Sequence, residues 1–78
     1  MPIMPPGSED IGYRAAGELL RMCSEEEITI AAEMENIGID TQQYYRYRHG
    51  GTPSAPVLAR MAEAGYDVMY ILTGRRST

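Results

Sequence analysis

Apolar residues recur at helical spacing along the chain and predict a series of short helices. In the first segment they lie three or four residues apart, the period of one helix face: Ile11, Ala15, Leu19 and Met22. Ser8 can serve as the N-cap of this helix, since its hydroxyl can accept a hydrogen bond from a free N–H group of the first turn. Gly12 and Gly17 each weaken the helix by up to about 1 kcal/mol relative to alanine, and we expect them to allow close approach of another helix.

A second helix is predicted to begin at Ser24. The stretch Ser24-Glu25-Glu26-Glu27 fits a capping box, in which a serine N-cap is followed by a glutamate three residues later. The helix runs on through residues 28–35, and Asn36 or Gly38 can end it.

A third helix is predicted at residues 41–49, between an Asp40 N-cap and the glycine pair Gly50-Gly51. Tyr44 and Tyr47 are three residues apart and share one face, which can pack inward. The remaining side chains include amides, hydroxyls, guanidinium groups and an imidazole, and they point elsewhere, with Gln43 and Arg48 at the margins of the inward face. Such groups can read base edges and bind phosphates, although any amphipathic surface helix also has a polar face.

Two further helices complete the predicted fold. Ser54 can cap a fourth helix, with Pro56 in its first turn, where a missing N–H costs little. Asp67 can cap a fifth helix over Val68–Thr73, which Gly74 ends. We expect three residues of the fifth helix to face the core: Val68, Ile71 and Leu72. Met69 and Tyr70 should be partly exposed. No strand is predicted, so the predicted fold is all-α, a compact domain of five helices.

Charge changes this picture in one region. The 78-residue chain carries a net charge of −4, which argues against a non-specific polyanion binder, since such binding depends on many basic groups that release counterions. Between Asp40 and Glu63, however, no acidic residue occurs, and four basic side chains fall in that interval: Arg46, Arg48, His49 and Arg60. A local positive surface is therefore compatible with sequence-specific binding.

The length and the ends of the chain define the predicted domain organisation. A chain of 78 residues makes one domain, which we place at residues 8–74. Residues 1–7 contain three prolines and one glycine and predict a flexible N-terminal arm, and residues 75–78 form a basic C-terminal tail. No apolar run reaches the length of a membrane span, so we expect a cytoplasmic protein without membrane association.

The reactive residue types do not predict an enzyme. The single Cys23 cannot form an internal disulfide and has no partner cysteine for a zinc site, so we interpret it as a core residue. The chain has one histidine and no evident pair of a nucleophile and a base, which leaves no candidate catalytic residue. We therefore predict no catalytic site, no metal site and no cofactor.

Four short motifs occur in a fixed order in the second half of the chain. They are G-I-D-x4-Y-R-Y-R-x-G, then T-P-S, then A-E-A-G and finally D-V-M-Y-I-L-T-G, which a basic tail follows. In order and spacing they resemble the Cro/repressor-type helix-turn-helix domain, also called XRE or lambda-repressor-like, and in particular prophage-type regulators. The resemblance covers residues 38–76, half of the chain, and is looser over residues 11–22.

The resemblance implies that residues 41–49 form a recognition helix in the major groove of DNA. It places four side chains toward base edges or the adjoining phosphates: Thr41, Gln42, Gln43 and Arg46. It implies phosphate contacts for a second set: Arg48, His49 and the Gly51-Thr52 backbone. Tyr44 and Tyr47 occupy core positions of the family, whereas Tyr45 can contact a thymine methyl group or a phosphate, or be a surface aromatic.

The resemblance also gives a second position for the start of the second helix. Counted back from Gly38, the register of the family makes Thr29 the N-cap and places Glu33 and Met34 where the family has a Leu-Ala pair. Counted from the Ser24 capping box, the segment before Gly38 is longer than in the family. Both N-cap positions remain open at this point.

The leading expectation is a sequence-specific transcriptional regulator, a repressor that binds double-stranded DNA as a homodimer on an inverted repeat. The fifth helix, with Met69 and Tyr70, is the candidate dimer interface. A second hypothesis is a protein-interaction module, such as an antitoxin or an anti-repressor, that binds a basic protein partner. It uses the acidic residues of the first half, which otherwise form a solvated face: Glu18, Glu25, Glu26, Glu27, Glu33 and Glu35.

Overall fold

Five α-helices make up the part of the chain that the computed structural model describes, residues 8–76, and that part contains no strand. In chain order they are α1 (Ser8–Glu26), α2 (Ile30–Ile37), α3 (Thr41–Arg48), α4 (Ala55–Glu63) and α5 (Val68–Thr73). The all-α prediction is confirmed, and none of these helices is long and apolar enough to cross a membrane. The predicted arm at residues 1–7, the side chain of Ser8 and the last two residues of the predicted tail lie outside the described residues.

Each helix contributes one large side chain to the centre of the core. α1 is the longest helix and packs against α2, α3 and α5, while α4 packs against α5. The largest side chains that are fully buried come one from each helix: Leu19, Met34, Tyr47, Met61 and Ile71. Because every helix is anchored in this close-packed centre, the orientation of its outer face is fixed.

The second helix does not begin at Ser24. α1 continues through Ser24 to Glu26, and Ser24 is an exposed residue inside that helix. Arg21 supports the continuation, because its guanidinium group bonds Glu18 at 3.0 Å and Glu25 at 2.9 Å, on the two adjacent turns. The capping-box prediction at Ser24 is therefore wrong.

α1 ends instead at a left-handed residue, and α2 begins after a threonine cap. Glu27 has a φ of 58°, and the N–H of Ile28 donates to the carbonyl of Cys23 at 3.0 Å, which closes the last turn. The hydroxyl of Thr29 then accepts a hydrogen bond from the N–H of Ala32 at 3.1 Å. The N-cap of α2 is therefore Thr29, the position obtained by counting back from Gly38.

The predicted N-caps of α3, α4 and α5 are confirmed. Side-chain oxygens of three residues accept hydrogen bonds from N–H groups in the first turns of α3, α4 and α5: Asp40, Ser54 and Asp67. Gly74 takes a left-handed conformation after α5. α3 ends at Arg48, one residue before the predicted end, and the left-handed position after it is Gly50, with a φ of 93°.

One predicted core residue of α5 faces outward. Leu72 is 40% exposed, whereas Ile71 is fully buried and Tyr70 is partly buried against the core. Arg14 of α1 donates hydrogen bonds to the carbonyls of Ile71 at 2.8 Å and of Leu72 at 3.3 Å. These bonds hold the C-terminal end of α5 against α1. The inner face of α5 is formed by Ile71 and Tyr70, so the prediction that Leu72 faces the core is wrong.

Gly12 is buried where α1 meets the loop after α3. A Cβ atom at Gly12 would lie 2.2 Å from the carbonyl oxygen of Gly51, so only glycine permits this approach. Gly12 therefore does permit a close approach, but of a loop and not of the helix that was predicted. At Gly17 a Cβ atom would meet no neighbouring atom of the described residues within 4 Å, so the prediction is wrong there.

Alanine substitutions at the two glycines should have opposite effects. Gly12→Ala places a methyl group against backbone and should lower the free energy of unfolding by about 2 kcal/mol. Gly17→Ala meets no neighbour and should raise it by up to about 1 kcal/mol through helix propensity. Chemical denaturation followed by circular dichroism measures both changes, and equal effects of the two variants would contradict the close packing at Gly12.

The two candidate N-caps give a second matched pair. Thr29→Ala removes the hydrogen bond to the N–H of Ala32 and should cost about 1 kcal/mol of stability. Ser24→Ala should cost nothing or stabilise slightly, because Ser24 lies inside α1 and alanine is a better helix former. The same denaturation measurement tests both variants, and a larger loss for Ser24→Ala would place the helix boundary at Ser24.

Candidate nucleic-acid interface

α3 has one buried face and one exposed face. Tyr44 and Tyr47 point inward, with 6% and 1% of their surface exposed, as predicted. The hydroxyl of Tyr47 donates to Oε1 of Gln43 at 3.4 Å. Burial raises the pKa of the Tyr47 hydroxyl, so it remains a neutral donor. The two tyrosines therefore fix the rotation of α3 about its own axis.

Most of the predicted site residues lie on the surface. Six of the eight are exposed: Gln42, Tyr45, Arg46, Arg48, His49 and Thr52. Thr41 and Gln43 are only partly exposed, and Gln43 also accepts the hydrogen bond from Tyr47. Thr41 and Gln43 therefore have less to offer a ligand than the other six.

Four of the exposed side chains surround one shallow depression. Its lining residues are Gln42, Tyr45, Arg46, His49 and Gly51. The loop folds back onto the helix here, because the N–H of Gly51 donates to the carbonyl of Arg46 at 2.8 Å. A Cβ atom at Gly51 would lie only 3.0 Å from that oxygen, so glycine allows the tightest approach. Amide, phenol, guanidinium and imidazole groups thus converge on a single surface.

Tyr45 is held at this depression by a second aromatic ring. The centroid of its ring lies 5.2 Å from that of the buried Tyr44, with 73° between the ring planes. This edge-to-face arrangement stabilises aromatic pairs. Because Tyr45 is still 45% exposed, its ring is both oriented and accessible.

Arg48 takes a different direction from Arg46. Its guanidinium carbon lies 5.8 Å from the centre of the Tyr44 ring, a cation–π distance. It also borders a groove together with Tyr13 and Leu20 of α1, whereas Arg46 lines the depression. The two arginines therefore cover neighbouring parts of the surface of α3.

The acid-free interval of the sequence is not one continuous positive surface. Arg60 lies beside Gly38, in a hollow that it shares with Glu35 and Glu63, and it does not line the depression. The carboxylate of Asp40 caps the start of α3, where it accepts a bond from the first turn. The positive groups of the interface are therefore those near the C-terminal end of α3.

Three arginines donate hydrogen bonds to other described residues of the protein. Arg14 holds the end of α5, and Arg21 bonds Glu18 within α1. Arg76, in the predicted basic tail, also bonds the buried carboxylate of Glu18. Its guanidinium carbon lies 3.8 Å from the centre of the Tyr70 ring. No local pattern links Glu18 to a residue 58 positions away, so this contact could not be predicted from the sequence.

The acidic first half of the chain is not one exposed face. Glu18 and Glu33 are 4% and 5% exposed, although the sequence places both among the surface acids. Glu33 accepts a hydrogen bond from the hydroxyl of Tyr66, and burial together with this bond raises the pKa of Tyr66. The protein-interaction hypothesis therefore loses two of its six carboxylates.

Cys23 lies in the core, in agreement with the sequence interpretation. It is 4% exposed, and its Sγ lies 3.6 Å from the carbonyl oxygen of Thr29. Burial and the nearby Glu33 raise the pKa of the thiol, which favours its protonated, unreactive form. Among the described residues, no group of three His, Cys, Asp or Glu side chains is placed to hold a metal ion.

Glu18 should make stability depend on pH. Burial opposes its ionisation, but hydrogen bonds from Arg76 and Arg21 outweigh burial and lower its pKa below the ordinary value of 4.5. The ionised carboxylate therefore stabilises the fold fully above pH 4.5, and this stabilisation is lost as the pH falls through the lowered folded-state pKa.

Glu18→Gln keeps the size of the side chain and removes its titration. We expect the variant to be less stable than the parent protein at neutral pH, and the difference to shrink as the pH falls below 4.5. Chemical denaturation at a series of pH values measures this difference. A difference that does not change with pH would contradict the ion pairs at Glu18.

Comparisons of the chain with known protein families, with curated proteins and with solved structures find no match. The function must therefore be inferred from the surface that α3 presents and from the chemistry of its side chains.

Proposed function

We propose that the chain is a sequence-specific DNA-binding transcriptional regulator of the lambda-repressor-like helix-turn-helix type. In this proposal α3 enters the major groove of double-stranded DNA, and the protein represses transcription as a homodimer on an inverted repeat. It acts by binding, without catalysis and without a cofactor.

The observation that carries the proposal is the outer face of α3. Polar and basic side chains converge around one depression, on a helix whose inner face is anchored by Tyr44 and Tyr47. α2 packs against α3, and only residues 38–40 connect the two helices. A short turn between two packed helices, the second of which exposes polar side chains, supports the helix-turn-helix assignment.

The exposed side chains have the chemistry that base recognition requires. The amide of Gln42 can form two hydrogen bonds with adenine, and the guanidinium group of Arg46 can form two with guanine. Each such pair provides roughly 1–3 kcal/mol of discrimination against the wrong base. Arg48 and His49 at the end of α3, and the exposed Thr52 after it, suit contacts with phosphates.

The distribution of charge favours specific over non-specific binding. The net charge is −4, and Arg14, Arg21 and Arg76 are engaged within the protein. Few basic groups therefore remain to neutralise phosphates. Since each neutralised phosphate contributes about −0.9 to the slope of log K against log salt, we expect a shallow slope of roughly −2 to −3 per protomer.

The dimer is proposed to form through the exposed apolar side chains of α5. Met69 is 56% exposed and Leu72 is 40% exposed. Tyr70, which the sequence favoured beside Met69, is covered by Arg76 of its own chain. Two α3 helices related by the two-fold axis of the dimer would then lie about 34 Å apart, one turn of the DNA.

Selection of binding sites from a pool of random duplexes tests the proposal. The enriched duplex, and the DNA upstream of the gene that encodes the chain, are then titrated by fluorescence anisotropy at two salt concentrations. We expect one selected sequence with two-fold symmetry. The double variant Gln42→Ala/Arg46→Ala should bind it at least roughly 30-fold more weakly, because it loses two base contacts.

Arg60→Ala is the matched control for the loss of positive charge. Arg60 is exposed and lies in the hollow beside Glu35 and Glu63, outside the depression, so its removal should change the affinity by less than about threefold, since it neutralises one phosphate at most. Equal losses for the control and the double variant would show that net charge alone drives binding. No preference over random DNA at low salt would overturn the proposal.

A further inference from the structure

Tyr45 is an aromatic residue at the centre of an otherwise polar surface. It lies between Gln42, one turn before it, and His49, one turn after it, and all three line the same depression. Its ring is 45% exposed. Gln42, Arg46 and His49 can each form hydrogen bonds with bases or phosphates, but the ring of Tyr45 offers mainly apolar surface to whatever enters the depression.

The ring of Tyr45 is oriented before any ligand arrives. It stands edge-to-face with Tyr44 at 5.2 Å between centroids, and Tyr44 is itself buried in the core at 6% exposure. The helical backbone of α3 fixes the position of both residues. A side chain that is already ordered loses little conformational entropy on binding, so its contact contributes more to affinity.

The major groove offers few partners for an exposed aromatic ring. Base edges there present hydrogen-bond donors and acceptors, and the apolar group among them is the C5 methyl of thymine. A methylated cytosine carries the same group at the same ring position. We propose that Tyr45 determines specificity by packing its ring against the C5 methyl of a pyrimidine, beside the bases that Gln42 and Arg46 read. This inference rests on the proposed function of α3.

The phenol hydroxyl gives the main alternative contact, a hydrogen bond to a phosphate. Tyr45→Phe separates the two, since it removes the hydroxyl and keeps the ring. Tyr45→Ala removes both. Because Tyr45 lies at the surface, neither variant should unfold the domain, and circular dichroism of the two proteins checks this before binding is measured.

The experiment uses the selected duplex with single methyl groups removed or added. Each thymine is replaced in turn by deoxyuridine, which lacks only the C5 methyl, and each cytosine is replaced in turn by 5-methylcytosine. Anisotropy titrations then give the affinity of the parent protein, Tyr45→Phe and Tyr45→Ala for every duplex.

We expect one position per half-site at which the methyl group strengthens binding by about fourfold, the effect of burying one methyl group. Tyr45→Phe should keep this effect, and Tyr45→Ala should lose it. If the position is a thymine, deoxyuridine weakens binding there; if it is a cytosine, 5-methylcytosine strengthens binding there. These two results distinguish the sources of the methyl group.

The outcomes also separate this inference from the function on which it rests. Selective binding without any methyl effect, or with the same effect in Tyr45→Ala, would overturn the role of Tyr45 and leave the regulator assignment intact. Loss of binding in Tyr45→Phe would assign the contact to the hydroxyl and likewise overturn the inference. Absence of selective DNA binding would overturn the regulator assignment and the inference together.

Discussion

The packing of Tyr44 and Tyr47 against the core determines how α3 presents its outer face. The contact between α1 and α3 is the most extensive helix–helix contact of the fold, and Tyr47 is one of its fully buried side chains. Gly12 of α1 then lets the loop after α3 approach so closely that no Cβ atom fits between them. α3 is thus fixed along its inner face and just beyond its C-terminal end, and a ligand can bind without first ordering the helix.

The arginines of the chain divide between the fold and the surface. Glu18 is buried, and a buried carboxylate needs compensating donors. Arg21 supplies one from the same helix and Arg76 supplies another from beyond α5. These contacts help to hold the end of the described chain against α1. They also explain how a chain of net charge −4 can still present positive groups on α3: the arginines that stabilise the fold are distinct from those that remain exposed there.

Features that depend on a few neighbouring residues are the ones that the sequence predicts well. The caps Asp40, Ser54 and Asp67 are confirmed because each acts within its own first turn. Ser24 fails although its local pattern is as good, since α1 continues through it to Glu26, where Arg21 pairs with Glu25 as well as with Glu18. Ser24 and Thr29 both offer an acceptable N-cap pattern, so the cap patterns alone did not decide between the two positions.

The glycines and the buried acids also show that contacts between distant segments cannot be predicted from neighbouring residues. Gly12 and Gly17 look alike in the sequence, but only one of them faces a loop that is almost forty residues away in the chain. Glu18 and Glu33 belong to a run of acidic positions that is typical of a solvated face. Their burial depends on Arg76 and Tyr66, which come from the far end of the chain. Contacts between distant segments therefore removed two acids from the surface.

The candidate site could be predicted in part from neighbouring residues and in part could not. Two inward tyrosines at helical spacing were enough to predict which side chains of α3 face outward, because the period of a helix leaves little choice. The separation of Arg46 from Arg48 follows from the same period. The position of Arg60 beside Glu35 and Glu63 was not predictable, since it depends on which residues of α2 the guanidinium group meets. For Tyr45 the sequence left three interpretations open. Its edge contact with Tyr44 orients the ring at the depression. In the proposed complex with DNA, an oriented ring among hydrogen-bonding groups favours an apolar partner at the base edges.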